Sequence, residues 1–180
     1  MTATGVVQQI DGLYKIIPMK IFRRTPGVSF DCLSVKELPR IDAIDRVLHV
    51  GGAVSPGPVG DVERPWYMHP RQADNLMVLS GERHVEIYTK QHGRIVKVDV
   101  TADKIMIDGE LAYDGPGMLV WPCNVFHRIR SCPQKGSASV NFAVHYEGFN
   151  IRTNFNIYDL NTETGEYRLI REGHLDQSNG

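Results

Sequence analysis

His69, Asp74 and His127 have the side-chain types and the spacing to hold a cation or to move a proton. The first two lie in WYMHPRQADNLMVLSG, residues 66–81, and the third closes GMLVWPCNVFH, residues 117–127, after a proline break. Two imidazoles and one carboxylate suit Fe(II) with open coordination positions, and the set can also hold Mn, Ni or Zn. Without metal the same groups line a polar pocket in which His69 or His127 serves as acid or base. Tyr67 stands beside them as a fourth ligand or a proton donor.

Trp66, Arg71, Gln72, Trp121 and Cys123 flank these residues in sequence and are the candidate lining of a substrate pocket. The planar fork of Arg71 can fix a carboxylate or phosphate, and the two tryptophans can wall an apolar or ring-shaped ligand. Each also has an ordinary use: Arg71 solvated, the tryptophans in the core, Asp74 bracing a loop through backbone N–H groups, Tyr67 half-buried. His49, His84, His92 and His174 read as hydrogen-bonded neutral side chains, and His145 as a reserve ligand at most. In SVNFAVHYE its face carries Asn141 and Ala143 while the opposite face carries Val140, Phe142 and Val144, so an apolar core would turn His145 away. No third orienting group has a spacing that suggests a Ser-His-Asp or Cys-His nucleophile.

These residues need strands to position them. Short β-branched and aromatic runs recur between turn signals at 19–23, 28–35, 75–80, 84–89, 94–100, 117–121, 125–131, 139–146, 154–160 and 166–171, a pattern of all-β sandwiches and barrels. Gly81 is the expected turn between the third and fourth runs. Ile41, Ile44 and Leu48 share one face at helical spacing, which predicts a short helix over 40–48. Residues 51–65 hold four Gly and three Pro and are expected to form a long loop, a candidate lid, leading into WYMH. The last residues, EGHLDQSNG, are expected to fray.

The two motif regions resemble those of the cupin family, whose first motif is G-x5-H-x-H-x(3,4)-E-x6-G and whose second is G-x5-P-x-G-x2-H-x3-N. His69 takes the second histidine, Asp74 the glutamate and Gly81 the closing glycine, while Pro122, Asn124 in the glycine's place and His127 keep the second spacing. Tyr67 replaces the first histidine, Ser131 the last asparagine, and Gly60 and Gly117 are each one residue out of register. The resemblance implies a double-stranded β-helix, a jelly-roll barrel, with its core at about 45–150 in a single domain of 1–180. Residues 1–44 would add N-terminal strands and 151–180 a C-terminal hairpin and tail. It also implies a homodimer that exchanges or abuts the N-terminal strands, covering a sheet edge. Family members similar to sugar-nucleotide isomerases and epimerases work without metal.

Composition narrows the classes. Twenty basic residues balance twenty-one acidic ones for a net charge of -1, so no strong field attracts nucleic acid or anionic lipid. No apolar run approaches the roughly 20 residues of a membrane span, and the opening MTATGVVQQIDGLYK lacks a basic and apolar leader pattern. With three cysteines and no CxxC pair, a reducing compartment is expected, and the cytoplasm is the predicted location. The leading expectation is a divalent-metal cupin that converts a small organic molecule, dioxygenase-like or isomerase-like. A metal-free sugar isomerase or epimerase, or a ligand-binding cupin without turnover, are the alternatives.

Overall fold

The fold comes from a computed structural model that describes residues 5–38 and 40–178. In chain order the strands are β1 (Gln8–Ile10), β2 (Tyr14–Pro18), β3 (Lys20–Thr25), β4 (Val28–Cys32), β5 (Ala43–His49), β6 (Val54–Ser55), β7 (Trp66–Met68) and β8 (Gln72–Tyr88). They continue as β9 (Val96–Thr101), β10 (Lys104–Ile107), β11 (Glu110–Asp114), β12 (Gly117–Trp121), β13 (Phe126–Ser131) and β14 (Ser137–His145). A helical turn, α1 (Ile151–Asn154), precedes β15 (Ile157–Leu160) and β16 (Tyr167–Arg171).

β8 joins everything else. Its first half pairs with β12 and β14, and its second half with β13 and β9. One antiparallel sheet therefore runs β1-β2-β12-β8-β14-β5, and the other carries β9, β10 and β11 on one side of β8 and β13, β7, β15 and β16 on the other. Two antiparallel sheets sharing a bent strand make the jelly roll expected from the sequence, with the C-terminal hairpin β15–β16 docked on β7. The expected turn at Gly81 is a bend inside β8, because the ladder continues through it to Glu82 and Arg83. Gly81 has φ +71, and a Cβ there would lie 2.1 Å from the carbonyl oxygen of Gly136 on the neighbouring chain segment. Only glycine lets the two backbones approach so closely at positive φ.

Leu76, Val78, Val85, Ile87, Val98, Ile105 and Leu119 meet between the sheets in the main apolar cluster. A second cluster, Ile17, Leu38, Met118 and Val120, lies on the outer face of the first sheet, where the N-terminal segment covers it. A third, Trp66, Met68, Tyr88, Phe126 and Tyr158, is covered by the C-terminal hairpin.

The helix predicted over 40–48 is instead the edge strand β5. Its residues pair with β14 from Ala43↔Ala143 to His49↔Ser137, and the alternation of Asp45, Val47 and His49 against Ile44, Arg46 and Leu48 has the period of a strand. Pairing along a whole neighbouring strand outweighs a short helical stripe in an isolated segment. Ile44 and Leu48, the would-be helix face, are left 66% and 56% exposed. The 51–65 connection is mostly irregular, as expected, but β6 inside it pairs with β13. The tail is more ordered than expected: Gly173–Asp176 forms a 3-10 turn and Asp176 pairs with Arg171 at 2.7 Å, while the last two residues lie outside the described ones.

Replacing Gly81 by Ala forces a Cβ against the Gly136 carbonyl and strains φ, a loss of about 2–4 kcal/mol. Urea unfolding of G81A against the wild type measures it, and an unchanged midpoint would contradict the close approach.

Candidate active site

His69 lies in the short link between β7 and β8, Asp74 near the start of β8, and His127 second in β13. The pairings bring them together: His127 sits opposite Tyr67, and Asp74 opposite Trp121. Asn124, in the motif's glycine position, has φ +65, a left-handed conformation that Asn tolerates better than most residues, and its N–H donates to the His69 carbonyl at 2.9 Å. That bond fastens one motif loop to the other. One ligand atom from each of His69, Asp74 and His127 falls within 4.8 Å of the others, and all three residues are buried.

The histidine ring orientations follow from their hydrogen bonds. His69 Nδ1 lies 2.7 Å from the Asn154 carbonyl oxygen and His127 Nδ1 3.2 Å from that of Val125. A carbonyl oxygen can only accept, so each Nδ1 carries a proton, and a lone pair available on either ring is the one on Nε2. Burial, with His69 beside it, holds the His127 imidazole neutral down to about pH 4.

Asp74 is held by one oxygen and free at the other. Its Oδ1 accepts from Gln72 Nε2 and from Asn141 Nδ2, both at 2.7 Å. Its Oδ2 is buried without a hydrogen-bond partner among the described residues and lies 3.7 Å from His69 Nε2. Behind the carboxylate, Asn154 donates to Gln72, and Asn141 also donates to Asp45, so the network reaches from α1 to β5. Tyr67 hydrogen-bonds with Ser55, and burial raises its pKa, keeping the phenol protonated. Its ring centre lies 6.1 Å from that of His69 and 6.0 Å from that of His127.

These groups open onto a cavity of about 300 Å³ between the sheets. Of the expected site residues, Tyr67, His69, Gln72, Asp74, Trp121 and His127 line it. Trp66, Arg71 and Cys123 do not. Trp66 alternates away from Tyr67 into the outer apolar cluster, with the Arg128 guanidinium 4.1 Å from its ring centre; Arg71 is exposed; Cys123 sits half-buried in the loop before β13. The cavity also takes residues that the sequence did not suggest: Asp45 and His49 from β5, Arg83 from β8, Asn141 from β14 and Phe155 after α1. Reading β5 as a strand would have exposed the Asp45/His49 alternation. On β14 the polar face turns inward and Phe142 packs toward the outer cluster, the reverse of an apolar-in assignment. His145, at the end of that face, stacks on Phe149 at 3.6 Å instead of joining the cavity.

QdtA, a sugar 3,4-ketoisomerase from Thermoanaerobacterium thermosaccharolyticum, superposes with a TM-score of 0.53 at 11% identity, over 77% of this chain and 84% of that one. The dTDP-4-dehydrorhamnose 3,5-epimerase of Sulfolobus tokodaii gives 0.55 at 17%, over 79% and 75%. WlaRB, a TDP-quinovose 3,4-ketoisomerase from Campylobacter jejuni, gives 0.53 at 14%, over 79% and 90%. The chain shares its jelly-roll fold with these enzymes. No family model and no curated protein sequence matches it, so the likeness is one of fold.

A pH dependence follows from His49. Burial, and then the neighbouring Arg83 charge, lower its pKa from 6.5 to about 4. Between those values the unfolded chain takes up a proton that the folded chain resists, so stability is full above pH 6.5 and falls as pH drops toward 4. In thermal melts from pH 8 to 4, replacing His49 by Gln should flatten part of that decline; an unchanged slope would exclude His49 as a source.

Proposed function

We propose that the protein is an isomerase or epimerase of a small, polar carbonyl compound of sugar type, working by proton transfer without a metal. The observation carrying this reading is the buried pair of Nε2 lone pairs on His69 and His127, set beside the Asp74 carboxylate at a cavity. The reading is supported by the three neighbours, all named for isomerising or epimerising sugars. His69 Nε2 takes a proton from the carbon beside the carbonyl, and Asp74 Oδ2 stabilises the imidazolium that forms. The protonated Tyr67 phenol donates to the carbonyl oxygen as charge builds there. His127, neutral at working pH, accepts from a substrate hydroxyl. His69 then delivers that proton to the former carbonyl carbon as Tyr67 gives its phenol proton to the oxygen and His127 takes the proton of the neighbouring hydroxyl, which becomes the new carbonyl. Tyr67 and His127 return to their resting states by proton exchange with water, and no electron is gained or lost. Trp121 and Phe155 wall the site.

A second reading uses the same three residues as metal ligands, and it is favoured by the orphaned Asp74 Oδ2. Both Nδ1–H groups donate to carbonyls, an arrangement that aims Nε2 at a metal. His69, Asp74 and His127 would then hold Fe, Mn, Ni or Zn, which when bound supplies a Lewis acid.

Incubation with a panel of small keto sugars and keto-sugar acids in D2O, followed by proton NMR, should show deuterium entering beside the carbonyl of at least one. His69→Gln should slow that exchange by about 10²- to 10⁴-fold. Elemental analysis of the wild type and of a His69→Ala/His127→Ala double mutant separates the readings. Near-stoichiometric metal in the wild type alone would carry the second, and a lack of exchange in metal-free protein would sink the first.

We further propose that the protein works as a cytoplasmic homodimer. Cys32, Cys123 and Cys132 are free, in keeping with a reducing compartment, and no helix among the described residues is long and apolar enough to cross a membrane. β3 and β4 form a separate two-stranded sheet whose Ile21, Phe22, Val28 and Phe30 are more than half exposed. A lone hairpin with apolar faces is marginal in water, so a second copy is the fitting cover. Light scattering should give twice the chain mass for the wild type and one chain mass for Phe22→Asp/Phe30→Asp; a monomeric wild type would refute the arm-mediated dimer.

A further inference from the structure

Arg83 is the largest fully buried side chain among the described residues, at 2% exposure, and it lines the same cavity as the histidines. Its direct hydrogen-bond partners are neutral groups. Nε donates to Ser137 Oγ at 3.1 Å and Nη2 to the Val47 carbonyl at 3.3 Å; Ser137 Oγ lies 3.2 Å from Ser131 Oγ, which bonds His49 Nδ1 at 2.8 Å. Among the described residues no carboxylate reaches ion-pair distance of the guanidinium. Its pKa falls to about 10 through burial, so it is a cation at neutral pH, while the adjoining His49 is neutral. Among the described residues, hydrogen bonds engage two of the five N–H donors of the guanidinium, those on Nε and Nη2. Asp45 and Asp74 share the cavity but are engaged by Asn141.

A buried cation without a counter-ion is held at a desolvation cost that an incoming anion removes. We infer that Arg83 is the anion-recognising residue of the cavity and that the molecule bound there is a small organic carboxylate, such as a sugar acid. This deepens the proposed function and rests on that same cavity being the reaction site. β8 and β13 place the two ends: Ile87 pairs with His127 and Arg83 with Ser131, four residues or roughly 13 Å further along. A carboxylate on Arg83 thus leaves carbons several bonds away near His69 and His127. A monoanion suits the single fork better than a dianionic phosphate, which two cavity carboxylates would repel.

The test titrates the ¹⁵N-labelled full chain with acetate, acetamide and inorganic phosphate, following the Arg83 Nε–H signal by NMR. Acetate should shift the signal saturably, and acetamide, its neutral counterpart, should not. In Arg83→Gln, which keeps an N–H for Ser137, cavity-residue amides should report acetate binding weakened by about 10- to 100-fold. Arg83→Lys should recover part of it, charge without the fork. An equal response to acetamide, no response to acetate, or unchanged acetate affinity in Arg83→Gln would overturn the assignment, and tighter binding of phosphate would overturn its carboxylate identity. Binding is read without turnover, so failure of keto-sugar exchange and failure of acetate binding are separate results.

Discussion

An ionised carboxylate inside a protein is tolerated only where donors replace the water it has lost, and Asp74 sets that requirement for the whole molecule. Its Oδ1 draws on Gln72 from its own strand and on Asn141 from β14. Asn141 in turn reaches Asp45 on β5, and Gln72 is held by Asn154 of α1. Asn154 closes the circuit by offering its carbonyl to His69, which fixes the imidazole tautomer. One buried carboxylate is therefore tied through hydrogen bonds to three strands, a helical turn and the orientation of the His69 ring. The other oxygen has no hydrogen-bond partner among the described residues and lies beside His69 Nε2 at the cavity.

The bend in β8 allows one strand to serve both ends of the cavity. Before Gly81 the inward positions are Asp74, Leu76 and Val78; after it they are Arg83, Val85 and Ile87. A strand that stayed in one sheet could not place an acid and a base on facing walls. The close approach of Gly81 to Gly136 makes the change of sheet possible, and β14 absorbs it with a register shift between Ala138 and Ser139. The charge pattern of the cavity is thus a consequence of backbone geometry at a residue that touches no ligand.

That dependence explains what was legible in the sequence. β12 spans the very residues expected, 117–121, because four apolar residues between Gly117 and Pro122 suit a short strand covered on both faces. His69, Asp74 and His127 were found because their spacing within two short motifs survives whatever surrounds them. Asp45, His49, Arg83 and Asn141 were not, since each belongs to a strand whose inward face is decided by its partner. β5 carries a helical stripe as well as a strand alternation, and only the presence of β14 selects between them. β14 itself turns its polar residues inward, which an apolar-in rule misassigns. Trp66 follows the same rule in reverse: beside a Tyr67 that lines the cavity, strand alternation sends it to the opposite face.

The interior is divided, and the division bears on function. One part is filled by Val, Ile and Leu at near-zero exposure; the other holds two carboxylates, a guanidinium and three imidazoles around open space. Apolar residues of similar volume would make the second part more stable, since buried ions seldom recover their lost hydration. A fold this size has only about 5–15 kcal/mol of net stability, so an interior of this kind is supported by the apolar part next to it. The charges are not neutralised pairwise: among the described residues Arg83 has no carboxylate at ion-pair distance and Asp74 Oδ2 has no hydrogen-bond partner, although both residues line one cavity. A purely structural network would have brought them together. Held apart in this way, the two groups would suit, under the proposed reading, a bound molecule that meets the guanidinium at one end and reacts beside Asp74 at the other.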